Sequence, residues 1–196
     1  GCRVDTTIVF VNPPSLDFEV TSQAETCFQS CDGTLSIDAQ NGFLFSIDNG
    51  LTFSTVTNYD SLCPGNYTVW VIDQNDCAIT ETVIIPSGTI VQANFIVTPG
   101  ITTILNTSFS TTNYSTNATS YNWTFDSFYS SNEYEPEIKF GEDEIEPGNY
   151  LLCLEAINEN GCSNRTCQVV TIQDDILIYI PNTFTPDGNK FNDEFF

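Results

Sequence analysis

Apolar residues alternate with Thr, Ser, Asn and acids in short runs along most of the chain, and Gly, Pro, Asn or Asp close each run. Tyr67-Thr-Val-Trp-Val-Ile72 and Tyr150-Leu-Leu-Cys-Leu-Glu-Ala-Ile157 show the pattern most clearly. A period of two places one face inward and the other in water, which predicts half-buried β-strands; long helix-forming stretches are missing.

One strand-turn-strand pattern repeats. Cys63-Pro-Gly-Asn-Tyr67 leads through Val71-Ile-Asp-Gln-Asn-Asp-Cys77, and Pro147-Gly-Asn-Tyr150 leads through Ile157-Asn-Glu-Asn-Gly-Cys162. Each continues into a second β-rich run, and Gly1-Cys2-Arg3 followed by residues 6–11 reads as the end of a third copy. Pro-Gly turns the chain in, and the Asn/Asp/Gly cluster makes the tight return of a hairpin. Cys2, Cys77 and Cys162 therefore mark three module ends, 75 and 85 residues apart. Pro13-Pro14, Pro86-Ser-Gly88 and Gln173-Asp-Asp175 read as linkers. The expected organisation is the last strand of a preceding repeat at 1–14, one module at 15–88, a second at 89–173, and a different segment from 174 to 196. Short strands in modules of this length suggest an all-β fold of tandem immunoglobulin-like sandwiches, disulfide-stapled and elongated.

Charge narrows the partners. Twenty-six acids face Arg3, Lys139, Arg165 and Lys190, for a net charge of −22. Phosphate backbones need clustered Lys and Arg, so nucleic acid is excluded as a partner. The chain has eight cysteines and no histidine, which removes Cys/His zinc sites and every Ser-His-Asp or Cys-His nucleophile pair. Paired cysteines in small β modules point to an oxidising compartment. The chain begins without Met and reads as a fragment of a larger exported protein. Its acids cluster in turns, so no enzyme activity is expected of it.

Three stretches carry a family resemblance. Cys27, Cys31-Asp-Gly33, Leu62-Cys-Pro-Gly-Asn-Tyr67 and Val71-Ile-Asp73 through Asn75-Asp-Cys77 resemble the repeat of the SprB-type gliding-motility adhesins of Bacteroidetes. In that repeat Asn41-Gly-Phe-Leu-Phe45 replaces the usual Gly-Gly-x-Pro-Tyr. Tyr121-Asn-Trp-Thr-Phe-Asp126, Pro136 and Gly148-Asn-Tyr150 are similar to a PKD domain, with Asp126-Ser-Phe128 in place of Gly-Asp-Gly. Ile180-Pro-Asn-Thr-Phe-Thr-Pro-Asp-Gly-Asn-Lys-Phe-Asn-Asp193 resembles the start of a gliding-associated sorting domain recognised by the type IX secretion system. Within that motif the signal residues are Pro181, Asn182, Phe184, Pro186, Asp187, Gly188, Asn192 and Asp193. The resemblance implies the stalk and export signal of a large adhesin, secreted to the outer-membrane exterior. Its implied partners are the type IX translocon, outer-membrane shuttle proteins and the gliding machinery, with a polysaccharide surface as a further candidate. Two other roles stay open: the stalk and sorting tail of a secreted enzyme, or a polysaccharide-binding module in its own right.

The resemblance also implies a Cys27–Cys77 bond with Cys31–Cys63 as the second bridge; Cys31–Cys77 with Cys27–Cys63 competes. Cys153 and Cys167 lie symmetrically about the turn near Asn160 and suit a cross-strand bond, with Cys153–Cys162 as the alternative. Asp187, Asn189, Asn192 and Asp193 around Gly188 suit a calcium ion, the one cofactor considered, or else form an Asx-rich turn. Glu142-Asp-Glu144 reads as a solvated loop. Trp123 is expected in the core, whereas Tyr129 and Tyr134 are surface candidates for stacking on sugars. Six Asn-x-Ser/Thr sequons read as compositional accidents. The O-glycosylation that the resemblance implies falls on Ser61 and Thr6.

Overall fold

In a computed structural model, residues 2–3, 15–141 and 144–175 are described. They form fourteen strands and, among the described residues, no helix, as the alternation predicts. The chain packs into two compact units. Unit 1 holds the described residues up to Gln92 together with Thr116–Thr119 and Ile157–Asn164; unit 2 holds Ala93–Ser115, Ser120–Ala156 and the described residues from Arg165.

Unit 1 contains β1 (Asp17–Gln23), β2 (Gly33–Gln40), β3 (Leu44–Ser46), β4 (Asn58–Leu62), β5 (Gly65–Ile72) and β6 (Ala78–Ile85). They make two antiparallel sheets, ordered β1-β2-β4 and β3-β5-β6. On β2 the side chains of Leu35 and Ile37 point inward, and on β5 those of Val69 and Val71 do. With Phe45 and Ile85 they close the core between the sheets. Burying each such side chain is worth about 1.5–3 kcal/mol, so the period of two is itself the main source of stability.

Unit 2 contains β7 (Phe95–Thr98), β8 (Ile101–Thr103), β9 (Ser108–Asn113), β10 (Ser120–Phe125), β11 (Tyr129–Ser131), β12 (Glu137–Lys139) and most of β13 (Gly148–Ile157) and β14 (Ser163–Gln173). The sheet β11-β10-β13-β14-β8 faces the sheet β12-β9-β7 across a core of Phe95, Phe109, Trp123, Phe125, Leu152 and Leu154, among others. All printed pairings are antiparallel except β14 with β8, where Thr171 lies opposite Ile101. Trp123 is fully buried, sits edge-on to Phe95 at 5.0 Å, and donates its indole N–H to the Glu133 carbonyl at 2.9 Å. Its polar tip is thus satisfied while its rings fill the core.

Candidate functional site

The most highly organised surface segment of unit 1 is the loop from Glu25 to Gly33, which carries two of the bonded cysteines. Glu25 is only 3% exposed. Its carboxylate accepts N–H bonds from Gln29 (2.9 Å), Cys31 (3.0 Å) and Gly88 (3.2 Å) and the Ser87 hydroxyl (3.2 Å). Burial alone pushes this carboxyl up, but the four donors together outweigh it and hold Glu25 below its ordinary range. Gln29 and Cys31 both have positive φ, at 65° and 51°, a conformation that costs energy without glycine. The Glu25 bonds to their own N–H groups hold them there. A Cβ on Gly88 would stand 2.6 Å from the Cys27 carbonyl carbon, so only glycine fits against the loop.

Asp32 closes the other side. It accepts the Thr26 N–H at 2.7 Å and the Ser30 hydroxyl. Its bonds to Ser30 and Thr26 pull its pKa down from 3.8 to about 2. A depressed carboxylate contributes stability that is fully present above pH 3.8 and lost as pH falls through about 2. Asp32→Asn should therefore be less stable than the parent at pH 6, and the gap between the two should close between pH 3.8 and about 2. Urea melts of both proteins across that range check it; a gap independent of pH would remove the ionised carboxylate from the account.

Three disulfides are present: Cys27–Cys162, Cys31–Cys63 and Cys153–Cys167. The Cys27–Cys77 bond implied by the family resemblance is not formed. Cys77 is free and exposed, as is Cys2. The reason is strand length. Cys27 lies against residues 86–88 through the Glu25–Pro86 backbone bond and the Gly88 contact, at the end of the hairpin where Gly65 pairs with Ile85. Cys77 lies at the opposite end, beyond the pair Ile72–Ala78. Eight residues of β5 separate the two ends, roughly 26 Å at about 3.3 Å per residue. A disulfide spans less than about 7 Å between Cα atoms.

The cysteine that does reach Cys27 comes from the turn between β13 and β14, which packs in unit 1. This turn and the one between β5 and β6 are built alike. In the first, Asp73 accepts the N–H groups of Asn75 (2.7 Å) and Cys77 (2.9 Å), and its own N–H donates to the Cys77 carbonyl at 2.9 Å. In the second, Asn158 accepts those of Asn160 (3.0 Å) and Cys162 (2.9 Å), and its N–H donates to the Cys162 carbonyl at 3.0 Å. Asp76 (φ 61°) and Gly161 (φ 81°) occupy the same left-handed position. The Cys77 and Asn75 bonds hold the Asp73 carboxyl below its ordinary range, against the effect of burial.

No protein-family model matches the chain, and no curated protein matches it. Among solved structures, it is similar to the PKD1 domain of Vibrio anguillarum Epp, at 23% identity over 44% of this chain and 98% of that one, with a TM-score of 0.37. It is also similar to fibronectin(III)-like modules of Clostridium thermocellum CbhA, at 15% identity over 84% and 100% of the two chains, with a TM-score of 0.36. A tetra-tandem repeat in the extending region of a large adhesion protein matches at 15% identity over 81% and 50%, with a TM-score of 0.31. Superposition this loose says nothing about ligand or activity.

The remaining candidate residues are scattered. Ser61 is exposed on β4 with a positive φ of 56°, and its hydroxyl donates to Asp60 at 3.4 Å. Tyr134 is half exposed, stands edge-on to Tyr121 at 5.2 Å, and donates its hydroxyl to the Asn113 carbonyl; Tyr129 is partly buried against the unit 2 core. Thr6, the calcium set Asp187, Asn189, Asn192 and Asp193, and the motif residues Pro181, Asn182, Phe184, Pro186 and Gly188 lie outside the described residues. Among the described residues no three His, Cys, Asp or Glu side chains gather to hold a metal. Sequence reading passed over Glu25, whose role depends on residues 87–88 reaching it. It also passed over Asp48, which accepts from the Ser46 and Thr52 hydroxyls at 2.6 Å each and from the N–H groups of Leu51 and Thr52 at 3.0 Å each. Those bonds, led by the Ser46 hydroxyl, hold Asp48 well below the usual carboxylate range.

Proposed function

We propose that this chain is an extracellular tether: a run of disulfide-braced β modules that holds an adhesin's binding regions away from the cell, and catalyses nothing. The observation that carries this reading is the Cys27–Cys162 bond, which closes a span of 135 residues, alongside two shorter bridges. Structural disulfides persist in oxidising surroundings, and such dense bracing suits modules exposed to proteases and to pull. A chain without histidine lacks the usual general base for acyl-transfer chemistry. The strongly acidic composition keeps such a surface soluble and resistant to self-association.

The finer assignment is a gliding-motility adhesin exported to the cell surface by the type IX system. Its support is the resemblance of residues 180–193 to the start of a sorting domain, together with the repeat resemblance of residues 27–77. Deleting residues from 174 onward in a Bacteroidetes host should abolish surface display, read by protease accessibility on intact cells, while the protein accumulates inside. Normal display of the deletion variant would overturn the export role and leave the tether reading standing.

A further inference from the structure

The two hairpins match beyond their turns. Where each begins, a tyrosine hydroxyl bonds the carbonyl four residues back: Tyr67 to Cys63 at 2.9 Å, and Tyr150 to Glu146 at 2.6 Å. Where each ends, an Asp73 or Asn158 side chain collects the same two N–H groups, and the cysteine follows at the same place. Two cysteines held by the same backbone should do the same chemistry. Cys162 is bonded to Cys27, with its sulfur 3.4 Å from the Thr26 carbonyl. Cys77 is exposed and unbonded.

Within this chain, every cysteine other than Cys2 is already paired. Cys2 holds the same place in the sequence repeat as Cys77 and Cys162, on the turn side of such a bond. It lacks what surrounds Cys27: the Glu two residues before, the second cysteine four residues after, and the Asp-Gly that follows. In the receiving loop the second cysteine is tied to the residue before the Pro-Gly turn, and the Glu carboxylate gathers the loop's N–H groups.

We propose that Cys77 is the turn half of a second bond of the same kind, made to a cysteine that stands in a preceding module where Cys27 stands in this one. The receiving segment is a Glu-x-Cys-x-x-x-Cys-Asp-Gly loop. Each module is then bridged to the one before it, turn to loop, and Cys2 serves one module further back. The bond forms by exchange with a disulfide-donating oxidoreductase of the export compartment. One thiolate attacks the donor's disulfide, the second resolves the mixed disulfide, and the donor leaves as a dithiol with both electrons and both protons.

The test is disulfide mapping of the natural full-length protein, alkylated before unfolding, digested without reductant and read by mass spectrometry. The expected product is the Cys77 peptide joined to a peptide carrying the first cysteine of an upstream Cys-x-x-x-Cys-Asp-Gly loop. An alkylated Cys77, a Cys77–Cys2 bond, or a bond to a second copy of the chain would each overturn the proposal. Cys77→Ser in the full-length protein provides the converse reading. One upstream cysteine, the first of such a loop, should become alkylatable while Cys27–Cys162 stays intact. If no new thiol appears, Cys77 had no such partner.

Discussion

Pulled between handles placed outside residues 27 and 162, the oxidised chain should show no unfolding extension from anything between those residues. The Cys27–Cys162 bond is a covalent shunt: tension enters at Cys27 and leaves at Cys162 without passing through the 135 residues it encloses. Full reduction should release the whole stretch, a contour of roughly 450–490 Å at about 3.3–3.6 Å per residue. Cys162→Ser under oxidising conditions should release less, because Cys31–Cys63 and Cys153–Cys167 still short-circuit 32 and 14 residues. Single-molecule force spectroscopy reads these lengths directly. The same substitution should lower stability to urea by about 2–5 kcal/mol, since the bond no longer restricts the unfolded chain. A full-length unfolding step in the oxidised parent would show that the bond does not carry the load, and the tether reading would lose its main support.

The contrast between the pairings shows how far sequence reasoning reached. Alternation at Leu35, Ile37, Val69 and Val71 was enough to place two sheets around a core, because inside and outside on a strand follow from the period alone. Trp123 was legible as core for the same reason. Cys27–Cys77 was inferred from co-occurrence within one repeat, which treats the repeat as self-contained. Yet a warning was present: Pro64-Gly65 and Asp73 mark the two ends of one strand, so Cys63 and Cys77 cannot share a neighbourhood. Once Cys31 is bonded to Cys63, Cys27 four residues away belongs to the Cys63 end. What no local pattern reveals is that a turn some 85 residues further on supplies the missing sulfur. Glu25 was hidden in the same way. Its acid reads as a surface residue until Ser87 and Gly88 are seen donating to it.

Trp123→Ala is expected to be the most damaging single substitution in unit 2. The indole is fully buried among Phe95 and the other core residues, and its removal leaves a cavity that close-packed sheets cannot collapse to fill. Such aromatic truncations cost about 3–5 kcal/mol. The loss of the N–H bond to the Glu133 carbonyl adds to this by freeing the segment before β12. At an m-value of about 1–2 kcal/mol per molar urea, the midpoint falls by roughly 2–4 M, enough to leave unit 2 marginal or unfolded in buffer. Circular dichroism follows the loss of β-structure in unit 2, and Trp70 remains as the fluorescent reporter for unit 1. Tyr134→Ala is the control, because that ring is half exposed and should cost about 1 kcal/mol or less. The pair also separates packing from sugar recognition. A face that never meets solvent cannot stack on a glycan, so any polysaccharide binding by unit 2 should depend on Tyr134 and survive Trp123→Phe, which keeps the core filled. Binding lost on Trp123→Phe in a folded protein, with Tyr134→Ala without effect, would mean that the sandwich opens to present its core.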